Sequence, residues 1–141
     1  MKITRLFLDT APVIYYVEKN PHFYPVVKPF FEQVDNGSIV AVTSPITLAE
    51  CLIMPIRLGQ TMLNQDYQAL IMHGYNTEFV TINHTIGLTT ANLRASYNLT
   101  LPDALQLAVA IESNCDTFLT NDIRLKRVSE LQIVVLKELV I

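Results

Sequence analysis

The chain has no tryptophan, two cysteines, four glycines among 141 residues and a charged fraction of only 16%. Each shortage excludes something. Cys51 and Cys115 lack C-x-x-C spacing and sit in apolar or helix-end settings, so they read as reduced, buried thiols of a cytoplasmic protein rather than a disulfide framework. His22, His73 and His84 stand apart from one another and from any acid or nucleophile at telling spacing, which leaves neither a zinc site nor a histidine-centred catalytic group. There is no G-x-S-x-G elbow and no Walker loop. No apolar run reaches eighteen residues, and Asp9 interrupts MKITRLFL before a signal-peptide core is complete, so the expectation is a soluble, cytoplasmic protein away from membranes. A formal net charge of −3 excludes a protein that grips nucleic acid by bulk basicity.

Hydrophobic residues, by contrast, make up half of the chain, and the mean hydropathy is +0.31. This length suits one domain spanning 1–141, which buries about 68% of its unfolded surface. So apolar a composition is rich for a monomer. We expect some apolar surface to be reserved for a second chain, either a homodimer mate or a bound partner.

The pattern alternates between strands and helices. ITRLFL, residues 3 to 8, is a short run whose end is nearly continuous apolar, as in a strand buried on both faces. Pro12 then opens a helix to about Lys19, and after Asn20-Pro21 a second helix runs from about His22 to the Asn36-Gly37 stop. SIVAVT, 38 to 43, is the next strand, and Ser44-Pro45 caps a helix reaching about Leu58. Helical spacing returns over Thr61 to His73, a strand follows at Thr77 to Ile82, and a further helix covers His84 to Tyr97. LPDALQLAVAIE is a helix with Pro102 in its first turn, Thr117 to Leu119 a buried strand, IRLKRV a basic helical turn, and Gln132 to Leu136 a last strand. Such βαβ alternation predicts a mostly parallel sheet in a three-layer α/β/α domain.

Three acids stand alone in apolar surroundings. Asp9 is the only charge between Arg5 and Glu18, Glu50 between Asp35 and Arg57, and Asp103 between Arg94 and Glu112. Asp122 ends the fourth strand. Each taken singly can be a cap or a turn residue. Four such residues at strand ends and helix starts, where an open α/β sheet builds its cleft, point to one site. Carboxylates gathered without a cation repel by about 1 kcal/mol per pair in water and about 4 at a half-buried dielectric, so something positive should meet them. An all-oxygen set suits Mg²⁺ or Mn²⁺. Setting those four acids aside as ligands moves the formal balance from −3 to +1, so the surface left over need not repel RNA.

FLDT, SPITLAE, LPDALQLAVA and TFLTNDIRL, in this order, resemble the motifs of the PIN-domain family, and within it most closely the VapC-type toxins of toxin–antitoxin pairs, which are metal-dependent endoribonucleases. The resemblance covers nearly the whole chain. It implies a sheet of order 3-2-1-4-5, with Asp9, Glu50, Asp103 and Asp122 as catalytic metal ligands for Mg²⁺ or Mn²⁺. Thr120 matches a hydroxyl residue that helps hold such a site, Asn121 is its neighbour, and Thr10 and Ser44 are either second donors or simple caps. It implies an RNA substrate cut to 5′-phosphate and 3′-hydroxyl ends, and an antitoxin docking near the aromatic early helices. Arg124, Lys126 and Arg127 follow Asp122 closely and are candidates for phosphate contacts, with a solvated basic helix face as the evenly weighted alternative.

Two other functions compete. A Mg²⁺ phosphatase of haloacid-dehalogenase type also places an Asp after its first strand, but it requires a second acid at position 11, where Ala11 stands. A catalytically silent scaffold that only binds a partner or RNA is the other, and the presence of all four acids weighs against it.

Overall fold

The computed structural model describes residues 2–140; the outermost residues of the expected 1–141 domain lie outside that range. Strand β1 (Arg5–Leu8) lies at the centre of the sheet. Leu6 and Leu8 pack into one helical layer and Phe7 into the other, all at 2% exposure or less, which is why the strand reads as a continuous apolar run.

The remaining elements follow in the expected alternation: α1 (Thr10–Val17), α2 (Tyr24–Asp35), β2 (Val40–Thr43), α3 (Pro45–Arg57), α4 (Thr61–His73), β3 (Thr77–Phe79), α5 (His84–Ser96), α6 (Leu101–Glu112), β4 (Thr117–Thr120) and β5 (Gln132–Val135). The five strands form one parallel sheet of order β3-β2-β1-β4-β5. On one side Val13, Val27, Phe31, Tyr67 and Ile71 from α1, α2 and α4 cover the sheet; on the other, Ile86 and Leu93 from α5 and the 104–110 stretch of α6 do so. Among the described residues no helix is long and apolar enough to cross a membrane.

Three of the boundaries that differ from the sequence expectation do so for a clear local reason. Helix α1 starts at Thr10 instead of Pro12, because the Asp9 carboxylate accepts the Thr10 N–H and acts as the N-cap; Pro12 then occupies the first turn, where its missing N–H costs nothing. Helix α2 starts at Tyr24, because the Asn20 side chain accepts from the His22 and Phe23 amides and holds that stretch as a turn. Strand β3 ends at Phe79 instead of Ile82: it is an edge strand, and the chain leaves it to reach Asn83, whose side chain caps α5 at Ile86. Gly37, expected as a helix stop, has φ +84°, a left-handed conformation that side chains disfavour. Both cysteines are free and buried, and desolvation pushes each thiol up to about 12, as expected of small packing residues.

At the amino-terminal end of the sheet, Asp116 ties β1 to β4. Its Oδ2 accepts from the Thr4 and Arg5 amides and the Thr4 hydroxyl at 2.9, 2.8 and 2.6 Å, and its Oδ1 accepts from the Thr117 hydroxyl at 2.7 Å. Desolvation works to raise its pKa, but these donors outweigh it and hold the carboxyl down at about 2. A depressed carboxyl contributes stability that is fully present above its unfolded value near 4 and is lost as pH falls through the folded value. Asp116→Asn is therefore expected to cost about 1–3 kcal/mol at pH 7 by chemical denaturation, and less as the pH is lowered from 4 to 2.

Candidate active site at the carboxyl ends of the central strands

Order β2-β1-β4 makes the β1/β4 boundary the point where the chain reverses its direction across the sheet, and Asp9 stands directly there. Its amide donates to the Leu119 carbonyl at 3.0 Å, extending the β1/β4 ladder by one residue. In open α/β sheets this is where ligands collect.

Asp9 is held on both oxygens. Oδ1 accepts from the Thr10 amide at 2.9 Å and Oδ2 from the Thr120 hydroxyl at 2.7 Å. The same Thr120 oxygen accepts from the Asp122 amide at 3.1 Å, so Thr120 links the Asp9 side chain to the backbone that begins the Asp122 turn. Desolvation raises the Asp9 carboxyl, the Thr120 and Thr10 hydrogen bonds work against it, and the charges of Asp103 and Glu50 raise it again, to about 6. The charges of Glu50 on α3 and Asp103 on α6, far away in the chain, thus bear on Asp9 at the end of β1.

Glu50 is exposed on α3 and accepts from the Thr10 hydroxyl at 2.6 Å. Thr10 is thus not an N-cap; its side chain orients Glu50 while Asp9 does the capping. Asp103 lies in the first turn of α6, where Thr100 caps the helix by accepting the Asp103 amide. The helix dipole favours an anion at this position.

Asp122 behaves differently. It is gripped by Arg124: Oδ1 accepts from the Arg124 amide and Nε, both at 3.0 Å, and Oδ2 from a guanidinium N–H at 2.7 Å. The Arg124 hydrogen bond, the largest influence on it, holds the Asp122 carboxyl below its ordinary value. Among the described residues no three His, Cys, Asp or Glu side chains are gathered in a ligating array. The expected meeting of four carboxylates is therefore partial: Asp9, Glu50 and Asp103 share one field, and Asp122 is adjacent through Thr120 but paired to its own neighbour. The donor set still fits a hard divalent cation. Every candidate ligand is a carboxylate oxygen, and Asp9 sits in a desolvated place beside two like charges with no cationic side chain hydrogen-bonded to it.

The basic turn after β4, a 3-10 segment over Ile123–Arg127, is equally engaged. Lys126 pairs with Glu138 at 2.8 Å, and Arg127 donates to the Asn98 carbonyl at 2.6 Å. Arg124 and Arg127 form one wall of a small cleft whose other wall is Asn98, Thr100 and Asp103. Asn121 is a brace: its amide donates to the Tyr15 hydroxyl at 3.0 Å and its oxygen accepts the Lys137 N–H at 2.8 Å.

Sequence reading missed two residues beneath the site, Thr47 and Gln106, both essentially solvent-free. Gln106 was visible as the one polar side chain between Asp103 and Glu112, a signal overlooked because the residue does not titrate.

Five parallel strands in the order β3-β2-β1-β4-β5 between two helical layers, with Asp9 at the switch point, define a doubly wound α/β domain. The PIN domain model matches residues 6–131, and the chain belongs to the PIN-domain family. Among solved structures it is similar to VapBC2 from Rickettsia felis bound to a DNA fragment from its promoter, with a TM-score of 0.73 at 21% identity over 94% of this chain and 98% of that one. It is also similar to a toxin–antitoxin complex from Klebsiella pneumoniae, with a TM-score of 0.71 at 20% identity over 93% and 97%. Mycobacterium tuberculosis VapC20, described as a sarcin–ricin loop cleaving toxin, gives 0.65 at 13% identity over 80% and 86%. At these identities the likeness concerns the fold. No curated protein sequence matches the chain.

Proposed function

We propose that this protein is a divalent-metal-dependent endoribonuclease, the toxin of a toxin–antitoxin pair. The observation that carries the reading is Asp9: a desolvated carboxylate at the sheet's switch point, raised to about 6 and flanked by Asp103 and Glu50. Asp9, Asp103 and Asp122 would hold Mg²⁺ or Mn²⁺, with Glu50 binding directly or through water. When bound, the ion lowers the pKa of a coordinated water and offsets charge on the scissile phosphate. The chain's own groups prepare the site: Thr120 and the Thr10 amide fix the two Asp9 oxygens, the Thr10 hydroxyl orients Glu50, and the α6 N-terminus supports the charge of Asp103. Arg124 occupies three of the roughly four acceptor sites of the Asp122 carboxylate, so service as a ligand would draw Asp122 partly away from Arg124 and make that guanidinium available to a phosphate. Hydrolysis then yields 5′-phosphate and 3′-hydroxyl ends, as the family chemistry implies.

Calorimetric titration of Mn²⁺ beside an RNA cleavage assay tests the reading, and absence of both binding and cleavage overturns it. The Asp122–Arg124 pair is the observation that favours the scaffold reading instead, and RNA binding without Mn²⁺ uptake is its signature. We further propose an antitoxin and a second copy of the chain as partners. Ile53, Met54, Ile56, Leu58 and Met62, within ten residues around the α3–α4 turn, are all at least 46% exposed, which supports a surface that another chain covers.

Arg127 provides a separate check on substrate. In an Asp9→Asn background, where RNA is expected to survive, Arg127→Ala should weaken binding about equally across RNA sequences. It should also reduce the slope of log affinity against log salt by about 0.7, read by fluorescence anisotropy. An unchanged slope removes Arg127 from the interface.

A further inference from the structure

We propose that Gln106 is a positioning residue: through a buried hydrogen-bond chain one layer beneath the acids it sets the spacing of Asp9, Glu50 and Asp103. The inference rests on the reading of those acids as a cation site.

The chain of bonds begins at Ser44, whose hydroxyl donates to the Gln106 Oε1. The Gln106 Nε2 donates to the Thr47 Oγ1 at 2.7 Å, and the Thr47 hydroxyl donates to the Leu8 carbonyl at 3.1 Å. Ser44, Thr47 and Gln106 are all at 1% exposure or less. Three of the four linked residues lie near an acid in the chain. Leu8 immediately precedes Asp9, Thr47 is three residues before Glu50 on α3, and Gln106 is three residues after Asp103 on α6. Residues three apart on a helix are neighbours on its surface, so Glu50 and Asp103 each sit one turn from their own link, and Asp9 is bonded directly to its link.

The direction of the bonds explains the residue. The Ser44 oxygen accepts the Ile46 and Thr47 amides as the α3 cap, so its single proton is free to be donated. The Thr47 proton is used on Leu8, so its oxygen must accept. The residue between them therefore has to accept on one arm and donate on the other, from the middle of an apolar helix. An amide does both at once without carrying a charge or needing a proton; an ionised glutamate would face the Thr47 oxygen with a second acceptor, and methionine would leave both hydroxyls unanswered. Gln106 itself has two partners, Ser44 and Thr47, at the cap and in the first turn of α3, and Thr47 carries the chain on to Leu8 at the end of β1. The chain thus joins α6, α3 and β1, the elements that carry Asp103 and Glu50 and lead directly into Asp9.

The test uses the full chain with Gln106→Met and Thr47→Val, the latter a near-isosteric change that breaks the chain at its other end. Mn²⁺ affinity is measured by calorimetry, melting temperature separately, and RNA cleavage as kcat and KM. We expect Mn²⁺ binding weaker by about 10- to 100-fold in Gln106→Met and in Thr47→Val, as for other partners that orient ligands, with kcat reduced and KM for RNA unchanged. Folded variants whose Mn²⁺ affinity and kcat stay within about twofold of the wild type overturn the proposal, whatever their melting temperature. If Gln106→Met fails to fold, Thr47→Val decides on the same criteria. Wild-type protein that takes up no Mn²⁺ overturns the cation site itself, and the positioning role falls with it; that failure is distinct from equal affinities across all variants.

Discussion

Asp9→Asn and Asp103→Asn are each expected to lower metal-dependent RNA cleavage by on the order of 10³-fold, since a lost ligand removes several kcal/mol of charge stabilisation from the transition state. Their effects on stability should differ in an informative way. The Asp9 pKa lies near 6 in the folded protein, above the ordinary carboxyl range, with desolvation the leading cause. A raised carboxyl pKa means that ionisation disfavours the folded state: stability falls as pH rises from about 4 to about 6, and the penalty persists at higher pH. Asparagine removes that charge while still accepting the Thr10 amide. In chelator at pH 7 to 8, Asp9→Asn should therefore melt no lower than the wild type, and its advantage should vanish below pH 4. Cleavage at wild-type rates by both variants ends the nuclease reading, and a collapse of Asp9→Asn in thermal melts would show that the carboxylate is needed for the fold.

The largest loss of stability is expected from Phe118→Ala. Phe118 is solvent-free in β4, its Cα is in register with Phe7 of β1, and the two rings stack at 5.0 Å with an interplanar angle of 10°. Deleting such a ring costs about 3–5 kcal/mol through lost transfer energy and the cavity left behind. Domains of this kind hold about 5–15 kcal/mol in total, so the variant should unfold at much lower urea or not accumulate at all. A shift in midpoint worth less than about 1 kcal/mol would mean that the α6 side chains collapse into the space.

The central strands were legible because burial on both faces writes itself as an apolar run: residues 3 to 8 and Thr117 to Leu119 read as strands, and the structure places them at Arg5–Leu8 and Thr117–Thr120. The acids were legible because a lone charge in such surroundings needs an explanation. What the sequence could not display is the direction in which a side chain turns. Asp122 and Arg124 are two residues apart, and only geometry shows the guanidinium folded back onto the carboxylate. Thr10 looked like a cap because it stands at a helix start, yet Asp9 is one residue closer to the end and takes that task. Gln106 was passed over for want of charge, although an amide inside ALQLAVA is as anomalous as an acid there.

The two borders of the sheet bear on how so oily a chain keeps to itself. Strand β3 spans three residues, and β5 runs straight into a 3-10 turn at Leu136–Glu138, so neither rim offers a long row of free amides and carbonyls. Growth by adding strands, the usual route from apolar sequence to fibre, has little to template on. The exposed apolar side chains around the α3–α4 turn then offer helix surface, and not a strand edge, to a second chain.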